Sequence, residues 1–202
     1  MRDPYLYEDI DVLGNKLAIR DAEELTEAEA NITYLLFLAI DKEFGQLPFD
    51  FDRLCAMHRY LFGAIYDWAG TPRSIPMAKG EKVLGGDTVR YSSPDNIKAD
   101  AVKAIAVLNA VNWTQLSAEE ISQQFAELVA ELWQVHPFRE GNTRTVITFA
   151  TQFALAHGFP IDKNLLRENA AYVRNALVKA SDGPYSEHKY LQEIFKDAIL
   201  QG

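Results

Sequence analysis

The segment His136-Pro-Phe-Arg-Glu-Gly-Asn-Thr-Arg-Thr145 gathers an imidazole, a carboxylate, guanidinium groups and a Gly-Asn pair directly ahead of an apolar run. A helix starting at Asn142 to Arg144 would expose free backbone N–H groups and the positive end of its dipole, which together suit a phosphate. Arg144 can add a charge-assisted fork to a phosphate oxygen. Glu140 is a carboxylate placed to hold Mg2+, an ion often bound by one or two carboxylates with the rest of its shell from water and phosphate. His136, with a near-neutral pKa, suits removal of a proton from an attacking hydroxyl. These residues describe a phosphate-transfer site.

Each also has a plain structural reading: His136 as a helix cap or core residue, Glu140 as a partner of the helix dipole, Arg144 in an ion pair. Their concentration in one loop ahead of a buried helix favours the chemical reading. A zinc site is disfavoured, because no second histidine stands at the i, i+4 spacing of a His-Glu-x-x-His site. His58, His157 and His188 are read as structural or exposed.

The elements that would position this loop are helical. From Thr145 to His157 there is no Asp, Glu, Lys or Arg, and apolar residues occupy every face of a helical wheel, the mark of a helix buried on all sides. Ahead of the loop, Ile121, Phe125, Leu128, Leu132 and Val135 recur at helical spacing, with Ser117 and Glu120 forming a capping box. Similar patterns cover 24–41, 51–65, 94–109, 165–180 and 187–200. The fold class is all-α, a helical bundle. The segment 74–94 breaks the pattern. Gly85-Gly86-Asp87 between short runs is read as the turn of a small projecting β-hairpin, with an ordinary surface loop as the alternative.

The chain of 202 residues, 48% of them hydrophobic, suits one domain over 1–202 with a substantial core. A formal charge of −9 and a pI near 4.9 argue against general nucleic-acid binding, which demands a basic surface. No apolar run reaches the roughly 18 residues of a membrane span, and the start lacks the basic and apolar regions of a signal peptide, so a soluble, cytoplasmic chain is expected. A lone Cys55 fits a reducing compartment and is read as a small buried apolar residue.

The loop resembles the signature of Fic-domain proteins, His-x-Phe-x-Asp/Glu-Gly-Asn-Gly/Lys-Arg-x-x-Arg, through His136, Phe138, Glu140, Gly141, Asn142 and Arg144. The stretches DVLGNKLAIRDAEEL and IYDWAGTPRSIPMAKG are also similar to Fic proteins of the bacterial toxin or secreted-effector kind. The resemblance implies a Fic-fold bundle whose projecting hairpin, the flap at about 74–94, aligns a target protein beside the nucleotide. It implies transfer of AMP from ATP, with Mg2+, to a Ser, Thr or Tyr hydroxyl of that target. In this chain His136 would be the base and Glu140 the metal ligand. Gly141, Asn142, Thr143 and Arg144 would bind the nucleotide, Phe138 would lock the loop, and Met77, Ala78, Lys79 and Gly80 of the flap would dock the target. Function is expected in a bacterial cytoplasm, or in a host cytoplasm for a delivered effector.

The signature loop, 136–147, departs from the pattern at two positions. Thr143 stands where the family has Gly or Lys, and Ile147 where AMP-transferring members have a second arginine. Another basic residue, Arg139, Arg167 or Arg174, would then supply the missing phosphate contact, or the site would prefer another nucleotide or weak transfer. A Fic-type phosphotransferase and a degenerate module that binds a partner without turnover stay open as alternatives. No Ser or Thr is followed four positions later by Glu, so self-inhibition of the family's usual form is not expected, and any antitoxin would act differently or be a separate protein.

Overall fold

The computed structural model describes residues 2–45 and 47–199. The chain runs through α1 (Ala22–Ala39), α2 (Asp41–Phe44), α3 (Phe51–Phe62), α4 (Ile97–Ala110), α5 (Ala118–Val135), α6 (Asn142–Ala156), α7 (Lys163–Glu168), α8 (Ala170–Ala180) and α9 (Lys189–Ala198). Side chains start several of these: Asp21, Asp50 and Asp162 accept backbone N–H groups of α1, α3 and α7. At α5 the expected box is complete, Ser117 Oγ accepting from Glu120 N and Glu120 Oε2 from Ser117 N.

Helix α5 packs on α4, α6, α8 and α9, and α3 packs on α1, α4 and α6, so α6 lies between the α3 and α5 layers. Its Val146, Phe149, Phe153 and Ala154 are fully buried, each large side chain contributing roughly 1.5–3 kcal/mol by leaving water. The same helix buries hydroxyls at no loss of hydrogen bonding. Thr145 donates to Gly141 O at 2.9 Å, Thr148 to Arg144 O at 2.6 Å and Thr151 to Thr148 O at 3.0 Å.

The all-α class holds, with differences of detail: α3 ends at Phe62 rather than at 65, and the pattern at 24–41 breaks after Ala39. The pattern at 165–180 forms two helices, separated at Asn169, whose side-chain amide donates to Leu165 O at 2.8 Å and ends α7. Pro94 opens a 3₁₀ turn rather than α4 itself. The last helix, expected to reach Leu200, is seen to Ala198, and Leu200 lies outside the described residues.

The hairpin is absent: among the described residues, 74–94 contains no strand. Around the Gly-Gly turn a 3₁₀ turn at Lys82–Leu84 takes the place of a ladder, and Glu81 bonds to both sides of it, its N–H donating to Asp87 O and its carbonyl accepting from Gly86 N. The physical reason lies outside the segment. Fully buried Arg73 donates to Ile75 O at 2.6 Å and Ser92 O at 2.5 Å, clamping the two ends of the loop by a side chain instead of cross-strand pairing. The chain bends at Ser74 and Ile75; from Pro76 to Gly80 it forms no turn, exposure alternates along it, and Met77 and Ala78 keep backbone groups unpaired with other described residues. No helix among the described residues is long and apolar enough to cross a membrane.

Candidate active site

His136 ends α5 in the left-handed conformation, φ 50°, turning the chain sharply into the loop. Its ring is buried, stacked on Tyr91 at 4.0 Å and edge-on to Trp133 at 5.3 Å, and Nδ1 has no hydrogen-bond partner among the described residues. Burial, then the positive charge of Lys79, push its pKa down to about 3. The imidazole is therefore neutral, the form in which one ring nitrogen keeps a free lone pair. Its carbonyl is held by Arg73 Nε at 2.8 Å.

Asn142 closes the loop on itself: Oδ1 accepts from Phe138 N at 2.8 Å and Nδ2 donates to Phe138 O at 2.7 Å, an orientation in which both bonds are satisfied. Phe138 is wholly buried and stacks on His58 at 3.8 Å. His58 accepts from Gly70 N–H through Nδ1 at 2.8 Å, so its proton sits on Nε2, which donates to Glu140 O at 2.9 Å. Burial drives this histidine to about 4. Gly141 follows with φ 79°, where an added Cβ would lie 2.3 Å from the Phe62 ring, so only glycine fits.

These constraints leave the start of α6 open. Unlike α1, α3, α5 and α7, it has no capping side chain. It faces a cavity of about 210 Å³ lined by Lys79, His136, Glu140, Gly141, Asn142, Thr143, Arg144 and Arg174. Donors without acceptors at a helix N-terminus, beside guanidinium groups, form a receptor for an anion. A neighbouring hollow of about 250 Å³, lined by Val83, Tyr172, Asn175, Ala176, Lys179 and Tyr190, offers no carboxylate or imidazole.

Glu140 accepts from Gly141 N at 3.0 Å through Oε1 and meets Lys79 Nζ at 3.4 Å through Oε2. Burial would raise its pKa, but Lys79, the Gly141 amide and Arg144 outweigh it and hold the carboxyl ionised. Lys79 stands where a cation is attracted to this carboxylate, and no cluster of three or more His, Cys, Asp or Glu occurs among the described residues. A single ionised carboxylate beside a phosphate receptor fits Mg2+ completed by phosphate and water, and does not fit an all-protein metal cage.

The cavity thus brings together His136, Glu140, Gly141, Asn142, Thr143, Arg144 and Lys79, while Phe138 lies beneath it. Met77, Ala78 and Gly80 are outside the lining, on the loop. Thr143 Oγ1 accepts from Trp133 Nε1 at 2.9 Å, and Ile147 packs against the core. Sequence reasoning missed Arg73, the mediating role of His58, and Glu29. The last had a signal, since Leu25, Glu29 and Thr33 share one helical stripe and are the buried residues of α1, placing a carboxylate on the core face. Cys55, expected to be buried, is half-buried on α3, its thiol pushed up to about 11 chiefly by desolvation and so unreactive.

Residues 48–154 match the Fic/DOC family. The chain is 34% identical to the probable protein adenylyltransferase y4lH of Sinorhizobium fredii over 173 residues, 82% of each protein. It is 31% identical over 161 residues to the protein adenylyltransferase VbhT of Bartonella schoenbuchensis, covering 79% of this chain but 32% of that one. The crystal structure of the N-terminal Fic domain of a Bep effector from Bartonella quintana, with bound ADP, superposes with a TM-score of 0.80 at 27% identity, covering 96% of this chain and 93% of that domain. The chain belongs to the Fic/DOC family.

Proposed function

We propose that the chain is a protein adenylyltransferase, transferring AMP from ATP to a Ser, Thr or Tyr hydroxyl of a target protein. The observation that carries this reading is the convergence, in one cavity, of a neutral buried His136, an ionised Glu140 and an uncapped α6 N-terminus. Relatives named protein adenylyltransferase and a related Fic domain with bound ADP support it.

In this reading the α6 amides and Arg144 hold the phosphates, and His136 takes the proton from the target hydroxyl. The hydroxyl oxygen forms a bond to the α-phosphorus, the bond from that phosphorus to the bridging oxygen of the β-phosphate breaks, and pyrophosphate leaves. Glu140 would hold Mg2+, which supplies charge neutralisation across the phosphates. The unpaired backbone groups at Met77 and Ala78, next to Lys79 and Gly80, offer an edge for a target segment. Residues 1–202 act as one domain, working in a cytoplasm of the bacterium or of a host, with any antitoxin acting differently from the family's usual form or being a separate protein.

One observation favours a second reading, a module that binds its partner without turnover: Ile147 contributes no donor one turn beyond Arg144. Intact-mass spectrometry of lysate proteins treated with the purified chain, ATP and Mg2+ decides between them, with His136→Ala in parallel. A gain of AMP absent in the variant supports transfer. A gain of phosphate indicates phosphotransfer, and no gain with any nucleotide leaves the binding module.

A further inference from the structure

Two basic residues that could replace the missing arginine lie outside the cavity lining. Arg139 is bound to Asp3 at 2.7 Å, and Arg167 to Tyr34 Oη at 2.9 Å with Glu168 beyond. Arg174 differs. It stands on α8 and lines the cavity together with Glu140, Thr143 and Arg144.

Its end-on fork is taken by Glu81, with Nη1 at 2.9 Å from Oε2 and Nη2 at 2.7 Å from Oε1. Glu81 is 4% exposed and fixed through its own backbone to Gly86 and Asp87, so it holds the guanidinium in one orientation. A guanidinium carries two forks. With the end fork occupied, the side edge made by Nε–H and one Nη–H remains for a second planar pair of oxygens. The Arg174 side chain retains 37% exposure and lines the cavity.

We propose that Arg174 is a phosphate ligand of the nucleotide, its side edge contacting the phosphates beyond the α-phosphorus, and that Glu81 is the positioning residue that aims it. The proposal rests on the nucleotide-binding part of the function above. The α6 amides and Arg144 then receive one end of the phosphate chain and Arg174, from a different helix, receives the other. Selectivity follows: nucleoside di- and triphosphates gain the contact, and AMP does not.

The test is calorimetric titration of the purified chain with ATP, ADP and AMP in Mg2+, for the wild type, Arg174→Ala, Arg174→Lys and Glu81→Gln. Loss of a charge-assisted fork weakens ATP and ADP about tenfold or more in Arg174→Ala, with AMP changed less than about twofold. Arg174→Lys falls between, since an ammonium cannot fork, and Glu81→Gln weakens ATP without affecting AMP. If Arg174→Ala fails to fold because it strands a buried carboxylate, Arg174→Ala/Glu81→Gln removes both charges and carries the same comparison. A folded variant binding ATP as tightly as the wild type overturns this assignment alone. A wild type that binds no nucleotide overturns it together with the function on which it rests.

Discussion

Arg144, at the open end of α6, is gripped by Glu29, a carboxylate that stands 115 residues earlier on α1. Tyr66 Oη donates to the other oxygen of Glu29, Thr33 Oγ1 lies 3.3 Å from Arg144 Nη1, and the Phe62 ring sits 4.6 Å beneath the guanidinium carbon. A conformationally free arginine would spend side-chain entropy on meeting a phosphate; this one is ordered in advance.

Glu29→Gln keeps the volume and removes the charge, and it replaces one of the two oxygens that accept from Tyr66 and Arg144 by a donor NH2. Stability is expected to fall by about 1–3 kcal/mol, since a buried hydrogen bond to a charged group is lost. Urea denaturation checks it. An unchanged midpoint would mean that the pair does not order Arg144.

Gly141→Ala meets both a positive φ and the Phe62 ring. Strain in the left-handed region alone costs about 1–3 kcal/mol, and the ring must move as well. The variant should lose both stability and nucleotide binding. Adding Phe62→Leu should return part of the loss, a coupling that a double-mutant cycle reads directly. Additive effects of the two changes would count against the contact.

Acid should destabilise this protein earlier than carboxylate chemistry alone would. His58 and His136 are pushed down to about 4 and about 3 by burial, from an ordinary value of 6.5. Below pH 6.5 the unfolded chain takes up protons that the folded chain refuses, so stability falls as pH drops toward those values. Each histidine contributes a slope of about 1.4 kcal/mol per pH unit once well inside that window. Chemical denaturation from pH 7.5 to 5 should show the decline, and His136→Ala should make it shallower. A flat profile over that range would sink the assignment.

Arg73 binds three carbonyls and, among the described residues, no carboxylate, joining both ends of the 74–94 loop to His136 O. Arg73→Lys, with one compact ammonium, cannot reach all of them. A loss of about 2–4 kcal/mol is expected from unpaired buried acceptors, with faster proteolysis inside 74–94. Wild-type cleavage rates in the variant would show the clamp to be dispensable.

Much of this was legible in sequence because it is local. Apolar spacing announced α5 and the burial of α6 as far as Ala154, though its last turn is exposed at Leu155 and Ala156, and the loop chemistry lies within consecutive residues from His136 to Arg144. What was not legible depends on distant partners. Gly85-Gly86-Asp87 signals a turn, but whether the flanks pair depends on Arg73 and on Glu81 being drawn to Arg174. Likewise nothing near His58 states that its proton must sit on Nε2, since Gly70 and Glu140 decide it. The break at Asn169 was overridden in reading by an apolar pattern that continues through it.

Every cation on the cavity wall faces a carboxylate: Lys79 with Glu140, Arg144 with Glu29, Arg174 with Glu81. The wall is therefore close to electroneutral, within a chain whose formal charge is −9. A bare polyanion gains little from long-range attraction to such a surface and is repelled by the molecule as a whole. Capture should favour a nucleotide that arrives with its divalent countercharge, and its association rate should depend only weakly on ionic strength, unlike that of a basic groove.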